Sequence, residues 1–179
     1  EKSNNGSVNN SNNTNNTTNN NTTNINNTNS NNNSNNITNN IILNNYGSEN
    51  KDYITHDYLL ELLKKPFQAI PELIKYTYFN DEHPENQNIK LPNKKQPYVK
   101  IRKNNKWELA DRKETINDLI DQKHSELNNT DFSLIADETF KKNELNRIER
   151  FNEKYMSDDK EFVNQLYKDT ELVIINNSK

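Results

Sequence analysis

The sequence predicts an α+β fold in which a helical hairpin, a three-stranded antiparallel meander and three further helices follow a disordered, Asn-rich tail. Three observations support this prediction. The first 45 residues are more than half asparagine, and residues 98–109 alternate between apolar and polar side chains around an Asn-Asn pair. The segments on either side of this pair carry apolar residues at helical spacing. We therefore divide the chain into a tether, residues 1–45, and a small α+β module, residues 46–179.

The tether contains too little apolar surface to offset the conformational entropy that folding would remove. Serine and threonine fill most of the positions that asparagine leaves. This composition favours a flexible, disordered segment, and a self-associating, prion-like segment is the alternative. Its apolar cluster, formed by Ile37, Ile41, Ile42 and Leu43, can dock on the module.

A helical hairpin is expected to open the module. Thr55 is a suitable N-cap for a helix over His56–Lys65, whose leucines form the buried side, and Pro66 ends this helix. Pro71 stands where a first-turn proline belongs, so the second helix is predicted over Pro71–Phe79. Two short helices this close in sequence are expected to pack as a hairpin.

The central part of the module predicts the meander. Its expected strands are Ile89–Leu91, Tyr98–Lys103 and Lys106–Leu109. Between the last two strands, Asn104-Asn105 supplies a two-residue turn, because asparagine tolerates positive φ.

Alternation along the two longer strands predicts which side chains share a face of the sheet. The side chains expected on the covered face are Val99, Ile101, Trp107 and Leu109. The side chains expected on the opposite face are Tyr98, Lys100 and Arg102. The sequence thus predicts one apolar face under helices and one cationic face in water.

Three helices are predicted after the meander. A capping-box pattern that starts at Asp111 opens the first, and the second covers Glu138–Met156. Ser157 is the expected N-cap of the third, with Asp158 and Asp159 in its first turn, where negative charge suits the helix dipole. The aromatic residues of these helices recur at helical spacing, which is typical of a core rather than a cofactor site.

Composition excludes several classes of function. The net charge of −3 provides no overall attraction to nucleic acid or anionic membranes, so any electrostatic argument has to be local. The chain has no cysteine, which excludes disulfides and thiolate metal sites and fits a reducing compartment. Its two glycines form no phosphate-binding loop, and it contains neither a Gly-x-Ser-x-Gly nor a His-Glu-x-x-His motif. We therefore expect no enzyme activity, no cofactor and no membrane-spanning segment.

The densest positive charge lies in the meander. Between Asn86 and Lys106 there are seven basic residues and no acidic one. Basic side chains contact phosphates, and an aromatic ring beside them can stack on a base. The candidate nucleic-acid-binding residues are Lys90, Lys94, Lys95, Tyr98, Lys100 and Arg102. The alternative is a solvated sheet face whose lysines protect exposed strand edges.

The segment HPENQNI, which begins at His83, superficially resembles the Asn-x-x-Asn-hydrophobic part of HNH nucleases, where a histidine and an asparagine serve a metal site. An HNH site needs further histidines at short range, and the next one here is His124. His83 and Glu85 are the remote candidates for metal ligands. Alternatively, Asn86 and Asn88 form Asx turns that lead into the first strand.

A wider resemblance is carried by AIPELIKYTYFNDEHPENQNIKL (69–91), KWELADRKETINDLID (106–121), LNRIERFNEKY (145–155) and ELVIINN (171–177). Over most of the module the chain resembles an uncharacterised C-terminal domain found in paralogous proteins of mimivirus-like giant viruses. The elements follow in the same order as in that set. The frequent asparagine, lysine and isoleucine also fit an AT-rich coding genome.

Proteins of that set often carry an N-terminal C2H2-type finger or a coiled coil. The resemblance therefore implies a nucleic-acid-linked role in a virus factory of the host cytoplasm or in the virion, not in a secreted protein, and it implies no activity. A finger, if the protein has one, is expected upstream of Glu1, since the chain lacks the required cysteines.

Taken together, the sequence predicts a non-catalytic binding module whose basic sheet face contacts DNA or RNA. The alternative is a protein–protein or assembly module of the virus factory or virion, which would bind a viral or host protein. An HNH-like, metal-dependent nuclease is the remote alternative.

Overall fold

The computed structural model describes residues 41–129 and 139–178. Its elements in chain order are α1 (His56–Leu63), α2 (Pro66–Tyr78), a 3₁₀ turn (Pro84–Asn86), β1 (Ile89–Lys90), β2 (Tyr98–Lys103), β3 (Lys106–Asp111), α3 (Arg112–Asn128), α4 (Lys142–Met156) and α5 (Lys160–Asn177). The predicted α+β class is confirmed, with the hairpin, the meander and the later helices in the predicted order. Residues 1–40, which make up most of the predicted disordered tail, lie outside the described residues.

The helical hairpin is formed by α1 and α2, and its second helix begins earlier than predicted. Thr55 caps α1 as expected, because its Oγ1 accepts a hydrogen bond from the Tyr58 N–H at 3.2 Å. Pro66 opens α2, so Pro71 lies inside this helix. The prediction of a start at Pro71 was wrong. Pro66 suits a first turn equally well, and the buried packing of α2 offsets the single hydrogen bond that an internal proline removes.

The three strands form an antiparallel sheet in the order β1-β2-β3. Asn104 and Asn105 connect β2 to β3 with φ values of 50° and 61°. Both values lie in the left-handed region that a two-residue hairpin turn of type I′ requires, so the predicted turn is confirmed.

The core lies between one face of the sheet and the helices. Helix α3 contacts β2 and β3, α5 contacts β1, and α2 packs against α3, α4 and α5. Three side chains of α2, Ile70, Leu73 and Ile74, are fully buried, so this helix forms the centre of the apolar core. None of the described helices combines the length and the apolar character that crossing a bilayer requires.

The junction between α4 and α5 differs from the prediction. Ser157 ends α4, and Asp159 is the N-cap of α5, with its Oδ1 accepting from the Phe162 N–H at 3.0 Å. Serine and aspartate are both good N-caps, so the local sequence did not discriminate between them. The Lys154 Nζ lies 2.5 Å from the Asp159 Oδ2, and this ion pair fixes Asp159 beside the end of α4.

Helix α4 begins at Lys142, because its N-cap Lys141 has an extended backbone with φ −71° and ψ 153°. The prediction of one continuous helix over Glu138–Met156 was therefore wrong at its start, since Phe140 and Lys141 are not helical; Glu138 itself lies outside the described residues.

Candidate nucleic-acid interface

The pairing register of β2 and β3 decides which side chains stand together. In this register Arg102 lies opposite Trp107, and Lys100 lies opposite Leu109. Directly opposed residues of an antiparallel pair project to the same face of the sheet. Trp107 and Leu109 therefore stand on the same face as the cationic side chains.

The prediction that Trp107 and Leu109 line the covered face was wrong. On that face Val99 lies opposite Ala110, and Ile101 lies opposite Glu108. A two-residue turn places every odd-numbered residue of β2 opposite an even-numbered residue of β3. Alternation within one strand shows which of its side chains share a side. It does not show which side of the neighbouring strand lies on the same face of the sheet, because that depends on the pairing register.

The open face of the sheet is formed by Lys90, Lys100, Arg102, Trp107 and Leu109. Lys90 on β1 is paired with Lys100 on β2, and Lys100 is paired with Leu109 on β3. These three residues form one row across the sheet. Trp107 is 36% exposed and Leu109 is 59% exposed. The Lys90 Nζ lies 5.1 Å from the centre of the Trp107 ring, a cation–π distance that holds the ring beside two positive charges. The open face thus combines basic side chains with an exposed indole.

Arg102 stands at one edge of the open face and is half-buried. Its Nε donates to the Leu43 carbonyl at 3.2 Å, and its own carbonyl accepts from the Tyr46 N–H at 2.7 Å. The guanidinium has further N–H donors besides Nε, so Arg102 can anchor this segment and still contact an anion. Residues 43–46, partly assigned to the tether by the sequence, are thereby attached to the module.

The other three candidate residues lie around the open face rather than at its centre. Tyr98 is half-buried at the far end of β2 and shares its face of the sheet with Asp111, the residue opposite it. Lys94 and Lys95 are exposed on the loop between β1 and β2. This loop is fixed by the Arg112 Nη1, which donates to the Lys94 carbonyl at 2.6 Å. The structure therefore brings Lys90 and Lys100 together directly, and adds Trp107 in place of Tyr98 as the available ring.

Asn86 joins the start of the described chain to the module. The side chain is fully buried, and its Nδ2 donates to the Asn50 carbonyl at 2.7 Å and to the Tyr53 hydroxyl at 3.2 Å. Its Oδ1 accepts from the Asn50 N–H at 2.9 Å and from the Asn44 Nδ2 at 3.0 Å. The amide therefore pairs with Asn50 as a neighbouring strand would, at both the N–H and the carbonyl.

Asn88 holds the same segment two residues further along the chain. Its buried Nδ2 donates to the Asn45 carbonyl at 3.2 Å and to the Glu49 Oε1 at 2.9 Å. Asn45 in turn accepts from the Asn105 N–H at 2.9 Å through its Oδ1. The expectation of Asx turns within the loop was wrong for Asn86 and Asn88, since both amides reach a segment about 40 residues earlier.

His83 is engaged by its neighbours. Its ring is stacked on Tyr53 with 3.5 Å between the centroids and 6° between the planes. The His83 Nδ1 lies 3.1 Å from the Glu85 Oε1. Within residues 41–129 and 139–178, no three histidine, aspartate or glutamate side chains form a group that could hold a metal ion. The geometry therefore offers no support for an HNH-like site at His83 and Glu85.

A buried lysine was missed by the sequence analysis. Lys123 is 1% exposed, and its Nζ lies 3.0 Å from the Glu126 Oε2, which also lies 2.9 Å from the Lys51 Nζ. Burial lowers the pKa of Lys123 despite the attraction of Glu126. Burial alone would raise the pKa of Glu126, but the two ammonium groups hold it below its ordinary value. The signal was present, since Lys123 falls between Ile120 and Leu127 in the apolar stripe of α3.

The described contacts thus separate two regions. One is the open face, which is exposed and cationic, and the other is a set of buried polar side chains that attach residues 43–53 to the module. No protein-family model matches the chain, and neither a curated protein nor a solved structure matches it.

Proposed function

We propose that this chain is a non-catalytic nucleic-acid-binding module of a giant-virus protein, acting in the virus factory of the host cytoplasm or in the virion. The contact surface is the open face of the sheet, flanked by Lys94 and Lys95. The single observation that carries the proposal is the pairing register, which gathers basic side chains and an exposed Trp107 on one face.

Local charge supports this proposal against a net charge of −3. The open face contains three cationic side chains and no carboxylate, and two further lysines lie on the adjoining loop. On this side of the sheet the nearest acidic position is Asp111, opposite Tyr98 at the far end of β3; Glu108, opposite Ile101, projects to the other side. Phosphates would therefore meet a positive surface even though the whole chain is weakly acidic, and the resulting affinity has to depend on salt.

The contacts of His83 support a binding function over a nuclease. A metal site would need this imidazole and further ligands free to point at one ion. Here the ring is stacked on Tyr53 and faces Glu85. These contacts support a structural role for His83 in holding residues 43–53 on the module.

Salt dependence is the first test. Fluorescence anisotropy with a labelled oligonucleotide should show an affinity that falls steeply between about 50 mM and about 200 mM salt. If Lys90, Lys94, Lys95 and Lys100 each neutralise one phosphate, the loss for a single strand is about 50-fold. An affinity that does not change with salt, or no binding of DNA or RNA at low salt, would refute the proposal.

Charge reversal locates the surface. The test variant carries the three exposed changes Lys94→Glu, Lys95→Glu and Lys100→Glu. The matched control carries the same change of net charge on exposed positions of α4 as Lys142→Glu, Arg147→Glu and Arg150→Glu. Binding should be lost in the test variant and retained in the control, with equal thermal stability by circular dichroism. Equal losses in both variants would show that only net charge matters.

A protein–protein or assembly module is the second candidate, and a groove along α4 that ends at the exposed Met156 favours it. Leu145, Ile148 and Met156 line a groove of about 590 Å³, and Met156 is largely exposed. This candidate would replace the first if the unsubstituted chain bound no oligonucleotide at low salt and formed an oligomer in light scattering that persisted in the Lys94, Lys95 and Lys100 charge-reversal variant.

A further inference from the structure

We infer that the open face selects single-stranded over double-stranded nucleic acid, and that Trp107 is the residue on which a base stacks. This inference rests on the proposed function and adds to it the strand class and a specific contact. It is carried by the position of Trp107 between basic side chains, by its exposure, and by the shape of the sheet around it.

Trp107 is free of the core. The residue opposite it is Arg102, and the ammonium group 5.1 Å from its ring centre belongs to Lys90. Trp107 is 36% exposed, so about a third of this large apolar surface is in contact with water, whereas a core tryptophan would be covered. Its neighbours on the open face, Arg102 and Lys90, supply positive charge, which is the environment of a ring that meets a base attached to a phosphate.

Leu109 extends the apolar part of the open face. It lies two residues after Trp107 on the same side of β3, opposite Lys100, and is 59% exposed. Two residues along a strand correspond to roughly 7 Å, so the indole and the leucine form one continuous apolar strip. Lys90 and Lys100 flank this strip from β1 and β2. A base lying on the strip would place its phosphate beside these lysines.

The shape of the sheet argues against a duplex. The major groove admits a two-stranded ribbon, but here three strands lie side by side and helices cover the opposite face. The sheet would therefore meet a duplex from outside, where phosphates but not base faces are accessible. A single strand can turn its unpaired bases onto an aromatic ring, so only a single strand uses Trp107.

The cation–π contact gives Lys90 a second role. A base stacked on the indole competes with the Lys90 ammonium for the ring face. The displaced ammonium group remains within reach of the phosphate of that nucleotide. Lys90 thus keeps the ring oriented in the free protein and contacts the backbone in the complex.

Intrinsic fluorescence tests the inference directly, because Trp107 is the chain's single tryptophan. The protein is titrated with an oligonucleotide of about 20 nucleotides as a single strand and, separately, as a duplex with its complement. The single strand should quench the tryptophan emission and bind about tenfold tighter, since stacking contributes roughly 1–3 kcal/mol per base. The duplex should bind through charge alone and leave the emission unchanged.

Substitution of the ring provides the second measurement. Trp107→Ala should weaken single-strand binding by about 5- to 150-fold, the loss of one stacked base, and leave duplex binding unchanged. Trp107→Phe should retain most of the single-strand affinity. Leu172→Ala, at another exposed apolar position, is the control and should alter neither affinity.

The two proposals fail in different ways. Equal affinity for both strand classes with unchanged emission, or an unchanged single-strand affinity in Trp107→Ala, would overturn the inference and leave the proposed function intact. Tighter binding of the duplex would do the same. Absence of binding to both forms at low salt would overturn the proposed function itself.

Discussion

The attachment of the N-terminal segment by Asn86 leads to a prediction that can be worked from four distances. Asn86→Ala removes the hydrogen bonds of 2.7, 2.9, 3.0 and 3.2 Å to Asn50, Asn44 and Tyr53. Each such bond contributes about 1 kcal/mol net. Asn44 and Tyr53 are half-buried and Asn50 is exposed, so the groups that Asn86 leaves unpaired regain water and the full penalty of a buried unpaired group does not apply. We expect a loss of about 2–4 kcal/mol in the free energy of unfolding.

Hydrogen exchange and urea denaturation measure this loss at two levels. Because Asn86 holds one segment, the opening should be local first, and amide exchange at Asn50 should accelerate by about 30- to 900-fold. Urea denaturation followed by circular dichroism should show a lower midpoint. Asn146→Ala, at an exposed position of α4, is the control and should change stability by less than about 0.5 kcal/mol.

Asn86→Asp provides a sharper version of the same test. The carboxylate retains the two accepted bonds but places an oxygen against the Asn50 carbonyl, where Nδ2 donates in the native chain. Asn86→Asp should therefore be at least as unstable as Asn86→Ala at neutral pH and recover in part when the carboxyl group is protonated. If Asn86→Ala cost less than about 0.5 kcal/mol with unchanged exchange at Asn50, the hydrogen bonds would not hold the segment.

Three further predictions concern single side chains and are all measured by chemical denaturation. Glu126→Gln leaves the Lys123 ammonium buried without its carboxylate and should lower the free energy of unfolding by about 3 kcal/mol. Adding Lys123→Met to this variant should restore the lost stability. A double variant that stays as unstable as Glu126→Gln would contradict the ion-pair argument. Burial lowers the pKa of His124 below its ordinary 6.5, so the unfolded chain binds a proton first. Stability should fall as pH decreases from about 6.5 through the lowered pKa, and His124→Gln should lack this decrease. Asn105→Val forces a branched residue to a φ of 61° and should lower the free energy of unfolding by about 1–2 kcal/mol. Lys106→Val in the adjoining strand is the control and should lower it far less. Equal losses in the two variants would contradict the turn assignment.

Features that depend on a few neighbouring residues were predictable from the sequence. The Thr55 cap, the Asp111 cap and the Asn104-Asn105 turn were all predicted, and each is made by contacts within four residues. The prediction failed where two residues were equally suitable for the same position. Pro66 rather than Pro71 opens α2, and Asp159 rather than Ser157 caps α5. Position in the finished core decides between such signals, and local propensity does not contain that information.

The candidate interface was predictable in part. The basic residues of the meander are dense in the sequence, and Lys90 and Lys100 do share a face. Trp107 was assigned to the wrong face because alternation was applied to each strand separately. The length of the turn already determines the correct pairing, so this error could have been avoided from the sequence.

The sequence by itself therefore determined the α+β class, the order of the elements, and the concentration of positive charge in the meander. Only the tertiary structure decided what Asn86, Asn88 and Lys123 do. The two amides bind partners tens of residues away along the chain, and Lys123 is buried by packing that brings its ammonium group within 5.4 Å of the Tyr78 ring centre. The physical reason is that helix caps and turns are closed by neighbouring backbone groups. The partners of a buried amide such as Asn86, and the burial of an ammonium group such as that of Lys123, exist only after the whole chain has folded.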